Sequence, residues 1–86
     1  KVTVRWKKQR KNTDGYEIQY STNKKFKKAV KTVTVKNNKK NIKTIKKLKR
    51  GKKYYVRIRT YKDVFSGGQT IRVYSDWSKK KSVKVR

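Results

Sequence analysis

The chain has 86 residues, with 30 Lys and Arg against four Asp and Glu, a net charge of +26 at pH 7. That length fits one domain with one core. Without Cys or His it cannot build thiol chemistry or the common zinc and copper sites, and four scattered acids (Asp14, Glu17, Asp63, Asp76) are a poor basis for calcium binding or paired-carboxylate catalysis.

No stretch approaches the roughly 20 apolar residues of a helical membrane span, and none reads as a signal peptide. The chain starts at Lys1 rather than Met, which reads as a piece of something longer. High charge with only 31% apolar residues is the usual mark of disorder. The pattern opposes it. Val2-x-Val4-x-Trp6, Tyr16-x-Ile18-x-Tyr20, Val33-x-Val35, Tyr54-x-Val56-x-Ile58 and Val83-x-Val85 each place apolar groups on one strand face.

In chain order, Val2 to Trp6 is the first strand, and Asn12-Thr13-Asp14-Gly15 turns into the second, which Ser21-Thr22-Asn23 ends. A Lys-rich loop, Lys24 to Lys28, leads to the third, and Asn37 to Asn41 separates that from a short fourth near Lys43–Lys46. Arg50-Gly51 turns into the fifth, and Ser66-Gly67-Gly68 makes a hairpin into the last. Residues 39–53 place Ile42, Ile45 and Leu48 at helical spacing, but their Lys density, Thr44 and Gly51 oppose a helix. Strands at this spacing predict an all-β, antiparallel two-sheet sandwich or a barrel.

The run Leu48-Lys-Arg-Gly51-Lys-Lys-Tyr54-Tyr-Val56-Arg-Ile58-Arg-Thr60-Tyr61 resembles the E–F corner and F strand of fibronectin type III domains. Trp6 and Gly15-Tyr16-Glu17-Ile18-Gln19-Tyr20 resemble the family's B and C strands, and Tyr74-Ser75-Asp76-Trp77-Ser78 followed by Ser82-Val83-Lys84-Val85 its G strand. The resemblance spans essentially the whole chain, and its Lys-rich flavour is similar to modules of Gram-positive bacterial surface proteins. It implies an immunoglobulin-like sandwich whose core holds Trp6 as central plug, with Ile18, Leu48, Val56 and Ile58. It also implies that Tyr54 is a tyrosine corner, its hydroxyl bonded to backbone across the turn.

Two departures from the family stand out. Strand A is missing or incomplete: it lies outside this sequence, or another chain supplies a strand at the B edge. The F–G loop, Lys62 to Arg72, holds no Arg-Gly-Asp, so integrin binding of the kind known in the family has no support.

Tyr55, Arg57, Arg59 and Tyr61 alternate opposite to the core positions, and Trp77 is placed beside them on the last strand. This stripe reads either as an open stacking platform for sugars or bases, or as an internal arginine–aromatic ladder closed by Tyr74 and Glu17. Tyr-Ser-Asp-Trp-Ser resembles the Trp-Ser-x-Trp-Ser box of cytokine-receptor modules, which implies the ladder.

Lys24, Lys25, Lys27, Lys28; Lys39, Lys40; Lys46, Lys47, Lys49, Arg50, Lys52, Lys53; and Lys79, Lys80, Lys81 form loop clusters. Lys outnumbers Arg 23 to 7, which favours diffuse attraction over base-specific forks. The clusters are expected either to keep the module soluble or to hold anionic polymers: teichoic acid, glycans, DNA. No cofactor is implied, and no Ser has a His to activate it. The expected role is a non-catalytic extracellular spacer or adhesion module of a bacterial surface or secreted protein, beside neighbouring domains of a parent chain. A dedicated polyanion or nucleic-acid binder and a strand-exchanging subunit of an extracellular polymer are the alternatives.

Overall fold

A computed structural model describes residues 2–8, 13–28 and 30–85. Lys1 and Asn12, where the sequence set the chain start and the opening of the first turn, lie outside the described residues. These contain seven strands and no helix: β1 (Val2–Arg5), β2 (Gly15–Ser21), β3 (Lys31–Val35), β4 (Ile42–Ile45), β5 (Lys53–Ser66), β6 (Gln69–Tyr74) and β7 (Lys81–Lys84). β1 and β4 form one antiparallel sheet, with Val2 opposite Ile45. The other runs β3-β2-β5-β6, with β7 also on β5, every pairing antiparallel.

β5 organises the molecule. Its 14 residues rise about 46 Å at ~3.3 Å each, close to the 47 Å longest dimension. β2 covers one of its edges at Tyr55–Tyr61. Along the other edge β7 pairs with Lys53–Val56 and β6 with Tyr61–Ser66. The last strand expected from the sequence is therefore two strands, parted by residues 75–80. Beyond Tyr61, β5 and β6 continue past the end of β2 as a two-stranded ribbon. It closes at Gly67 and Gly68, with φ of 59° and 79°, the pair of left-handed residues that a tight primed hairpin turn requires.

Alternation on β2 directs Tyr16 and Ile18 inward, and they form the buried centre with Val35 and Ile45. Val4, Trp6, Tyr20, Val33, Leu48, Val56 and Ile58 pack around them, half-buried. Trp6 is thus not the central plug. Its ring tilts against that of Tyr16, centroids 5.2 Å apart, and Tyr16 holds the centre, its hydroxyl donating to the Asn38 carbonyl at 2.7 Å.

The displacement of Trp6 has a structural reason. The outer edge of β1 has no neighbour among the described residues. Between it and the β5–β7 side lies a groove of about 980 Å³, whose lining includes Val2, Val4, Trp6, Val56, Ile58 and Val83 together with the charged Arg5, Lys7, Asp76, Lys79 and Lys81. Side chains expected in a closed core therefore border open space. The Trp6 indole N–H is buried and has no acceptor among the described residues.

The corner before β5 takes the expected form. Tyr54 is buried, and its hydroxyl accepts the Lys49 N–H at 3.1 Å. Gly51, at φ 76°, makes the bend, and its N–H donates to the Val85 carbonyl at 2.8 Å.

Candidate functional site

The outward face of β2 and β5 is built by register. Glu17 stands opposite Arg59, and Gln19 opposite Arg57. Arg57 donates through Nε and Nη2 to Gln19 Oε1 at 3.0 and 2.7 Å, and Arg59 likewise to Glu17 Oε1 at 2.9 and 2.6 Å. Such forks hold each guanidinium plane in a set orientation.

Residues 75–80 bring the aromatic side. The Ser75 and Ser78 N–H groups donate to the Thr60 and Ile58 carbonyls at 3.0 and 2.7 Å. In return the two serine hydroxyl oxygens accept the Thr60 and Ile58 N–H groups at 2.9 and 3.0 Å. Side-chain oxygen thus stands in for a strand carbonyl twice, so the chain bulges without leaving β5 amides unpaired. Trp77, between the two serines, is carried over the arginines rather than set in a strand.

The result is a stack. Arg57 Cζ lies 4.2 Å from the Phe26 ring centroid and 4.4 Å from that of Trp77. Arg59 Cζ lies 4.1 Å from Trp77 and 3.6 Å from Tyr74. The order is therefore Phe26, Arg57, Trp77, Arg59, Tyr74, cation alternating with aromatic ring. Next to it, Arg72 covers the Tyr61 ring at 4.0 Å while its Nε and Nη2 reach both oxygens of Asp63 at 2.8 and 3.2 Å.

These contacts shift charges in the expected directions. Desolvation, and then the Arg59 charge, pull the Arg57 guanidinium below its ordinary value. The hydrogen bonds from Arg72 hold the Asp63 carboxyl below the usual range, and the same bonds push Arg72 up.

Both faces of Arg57 and of Arg59 are covered and each fork is engaged. This surface is an internal brace rather than an open platform. Tyr61, expected on the exposed stripe, is a correction: it is 3% exposed. Its ring lies across Gly15, which has no side chain to oppose it, and Arg72 closes over the other side. Tyr55 sits outside the stack, half-buried, with Lys53 Nζ 5.6 Å from its ring centroid.

Phe26 and Arg72 were missed from the sequence. Phe26 stands alone in a Lys-rich loop and takes a left-handed φ of 55°. Its N–H bonds the Asn23 carbonyl at 3.0 Å, and Asn23 Oδ1 accepts the Lys25 N–H at 2.8 Å. That turn delivers the ring to Arg57. An aromatic residue amid lysines was the one available signal.

The lysines of the clusters are exposed. Lys80 Nζ donates to the Lys24 carbonyl at 3.0 Å, joining Lys79, Lys80 and Lys81 to the Lys24, Lys25, Lys27, Lys28 loop. β7 then runs to Lys84, opposite Lys53. There the Val85 N–H bonds the Lys52 carbonyl at 3.0 Å, beside the corner that carries Lys46, Lys47, Lys49 and Arg50. Three clusters separate in sequence thus share the end of the molecule opposite the ribbon. Lys39 and Lys40 do not join them: their loop is tied by Asn38 Nδ2 to the Thr13 carbonyl at 2.7 Å.

Two antiparallel sheets facing one another around Tyr16 and Ile18 define an all-β sandwich of the immunoglobulin-like class. Within that class, the fibronectin type III domain matches residues 1–76, and the chain belongs to that family. No curated protein and no solved structure matches it. Fibronectin type III domains are commonly non-catalytic extracellular modules.

Proposed function

We propose that this chain is a non-catalytic, extracellular spacer or adhesion module of a bacterial surface or secreted protein, of the Lys-rich Gram-positive kind. Its cationic end associates with anionic polymers such as teichoic acids and glycans, while neighbouring domains of a parent chain hold it in place. The observation that carries the reading is the convergence of Lys24–Lys28, Lys79–Lys81 and the Lys46–Lys53 corner on one end. A groove of directed hydrogen-bond donors is not what this end presents; it is a field of hydrated ammonium groups, suited to repeating charge.

The test is binding to teichoic acid, a sulfated glycan and duplex DNA over a range of salt. If about six phosphates are neutralised, log K on DNA falls with log salt at a slope of about −5. Replacing Lys24, Lys27, Lys80 and Lys81 by Gln is expected to reduce that slope by about one unit each. Similar affinities across the polymers support the reading. A strong preference for one polymer makes the chain a dedicated binder, and salt-independent affinity overturns the diffuse mode.

One observation favours a second reading, acceptance of a strand from another chain. The groove lies beside the edge of β1 that has no neighbour among the described residues, where an extended segment with alternate apolar residues would add main-chain bonds and pack on Val2, Val4 and Val83. Capture of such a peptide is read as slowed amide exchange across Val2–Arg5 when it is added; unchanged exchange overturns it.

A further inference from the structure

The two sheets of the sandwich are unequal. β1 and β4 make a layer of two strands, and five strands make the other. At about 4.8 Å per strand, two strands leave part of the larger face uncovered, and the groove beside β1 is that strip. One strand between sheets about 10 Å apart occupies about 160 Å³ per residue, at ~4.8 Å of width and ~3.3 Å of rise. A groove of about 980 Å³ therefore has room for one strand of about six residues.

The groove offers such a strand both apolar contact and main-chain partners. Val2, Val4, Val56, Ile58 and Val83 line it. Residues 2–5 of β1 pair with β4 on one side. On the other side, alternate N–H and C=O groups of β1 meet no strand among the described residues. An added strand bonds to groups of this kind.

The banks of the groove are cationic. Arg5 and Lys7 stand on the β1 side and Lys79 and Lys81 on the β7 side, all four exposed, against the single acid Asp76. The ion pairs among the described residues are Arg59–Glu17 and Arg72–Asp63, so none of the four bank cations is matched. Arg57 and Arg59 also reach the wall, but Gln19 and Glu17 hold their forks.

We propose that the groove takes an acidic strand of another protein, an extended segment of about six residues in which Asp or Glu alternates with apolar side chains. This rests on the strand-accepting reading above and adds the partner's chemistry. The apolar residues pack inward on Val2, Val4 and Val83. The outward carboxylates come beside Arg5 and Lys7, which alternate with Val2, Val4 and Trp6 along the chain, and within reach of Lys79 and Lys81. Opposite charges on neighbouring strands stabilise the pairing, and like charges oppose it. A second copy is a poor donor for that reason. Apart from β2, which has a neighbour on each edge, every strand of this chain carries Lys or Arg. Glycans and nucleic acids have no peptide main chain to offer the edge.

Three peptides of about eight residues read the proposal by fluorescence anisotropy and amide exchange. One alternates Val and Glu, one alternates Val and Gln, and one has the composition of the first with all its Glu together. In roughly 0.15 M NaCl the Val–Glu peptide is expected to slow exchange across Val2–Arg5. It should bind about tenfold tighter than the Val–Gln peptide, since several exposed pairs each contribute a few-fold. The reordered peptide, of equal charge, should bind more weakly and leave those amides unprotected. Arg5→Gln and Lys7→Gln should each weaken the Val–Glu peptide about two- to fivefold. Lys31→Gln, on β3 at the opposite edge of the larger sheet, should not. Equal affinity and protection from the Val–Glu and Val–Gln peptides overturns the acidic partner and leaves strand capture standing. Absence of protection by either peptide overturns both. Equal affinity for the reordered peptide, or equal losses in Arg5→Gln and Lys31→Gln, makes the attraction diffuse and overturns the proposal. The peptide series decides without any variant.

Discussion

Arg59 directs Nε and Nη2 at a single carboxylate oxygen of Glu17, which is buried, while its own flat faces rest on Trp77 and Tyr74. The guanidinium is both the counter-ion of a desolvated acid and a layer of the stack. Arg59→Met removes the charge and keeps an adaptable apolar stem. We expect a loss of about 2–4 kcal/mol, somewhat under the range for a fully buried pair because Arg59 is partly exposed. Adding Glu17→Gln to that variant should recover part of the loss, since no unpaired carboxylate then remains. Urea unfolding of the two single variants and the double variant measures the coupling; additive effects would contradict it.

Tyr54 separates ring burial from hydrogen bonding at the corner. Tyr54→Ala deletes a buried aromatic and is expected to cost about 3–5 kcal/mol. Tyr54→Phe removes only the acceptor of the Lys49 N–H and should cost about 0.5–1.5 kcal/mol. An unfolding midpoint that hardly moves in the alanine variant would refute the role of the corner.

Gly15 is required by space. A Cβ there would run into the Val35 carbonyl oxygen and the Tyr61 ring, whose Cε2 would lie 2.8 Å away. The carbonyl belongs to the β2–β3 pairing and has little freedom to retreat. Gly15→Ala is expected to destabilise by about 1–3 kcal/mol, as overpacking does. It should stay costly when Tyr61→Phe removes the hydroxyl, because the backbone contact remains; thermal melts of both variants decide this.

Self-repulsion among the lysines gives stability a dependence on salt. Raising NaCl from low to physiological levels should raise the melting temperature, because the Debye length falls toward about 8 Å. Each kcal/mol gained shifts the midpoint by roughly 4–8 °C in a chain of this size. A flat or falling midpoint would show that the exposed charges are too well hydrated and spread to matter.

Strand faces were legible in the sequence because alternation is local: Tyr16-x-Ile18-x-Tyr20 and Tyr54-x-Val56-x-Ile58 fix inside from outside within a few residues. The hairpin was legible too, since Gly67 and Gly68 supply the φ values its turn needs. The arginine–aromatic ladder was legible in part. Arg57, Arg59 and Trp77 carry the family's pattern, but Phe26 reaches Arg57 only through a left-handed turn in a loop far away in the chain.

By itself, then, the sequence determined the strand periodicity, the turn positions, the family and the total charge, all consequences of neighbouring residues or of composition. Only the tertiary structure decided that Tyr16 displaces Trp6 from the centre, that Tyr61 is buried, that the last strand divides in two, and that separate lysine clusters share one end. Each of these depends on which edge of which strand has a neighbour, and strand pairing joins residues far apart along the chain.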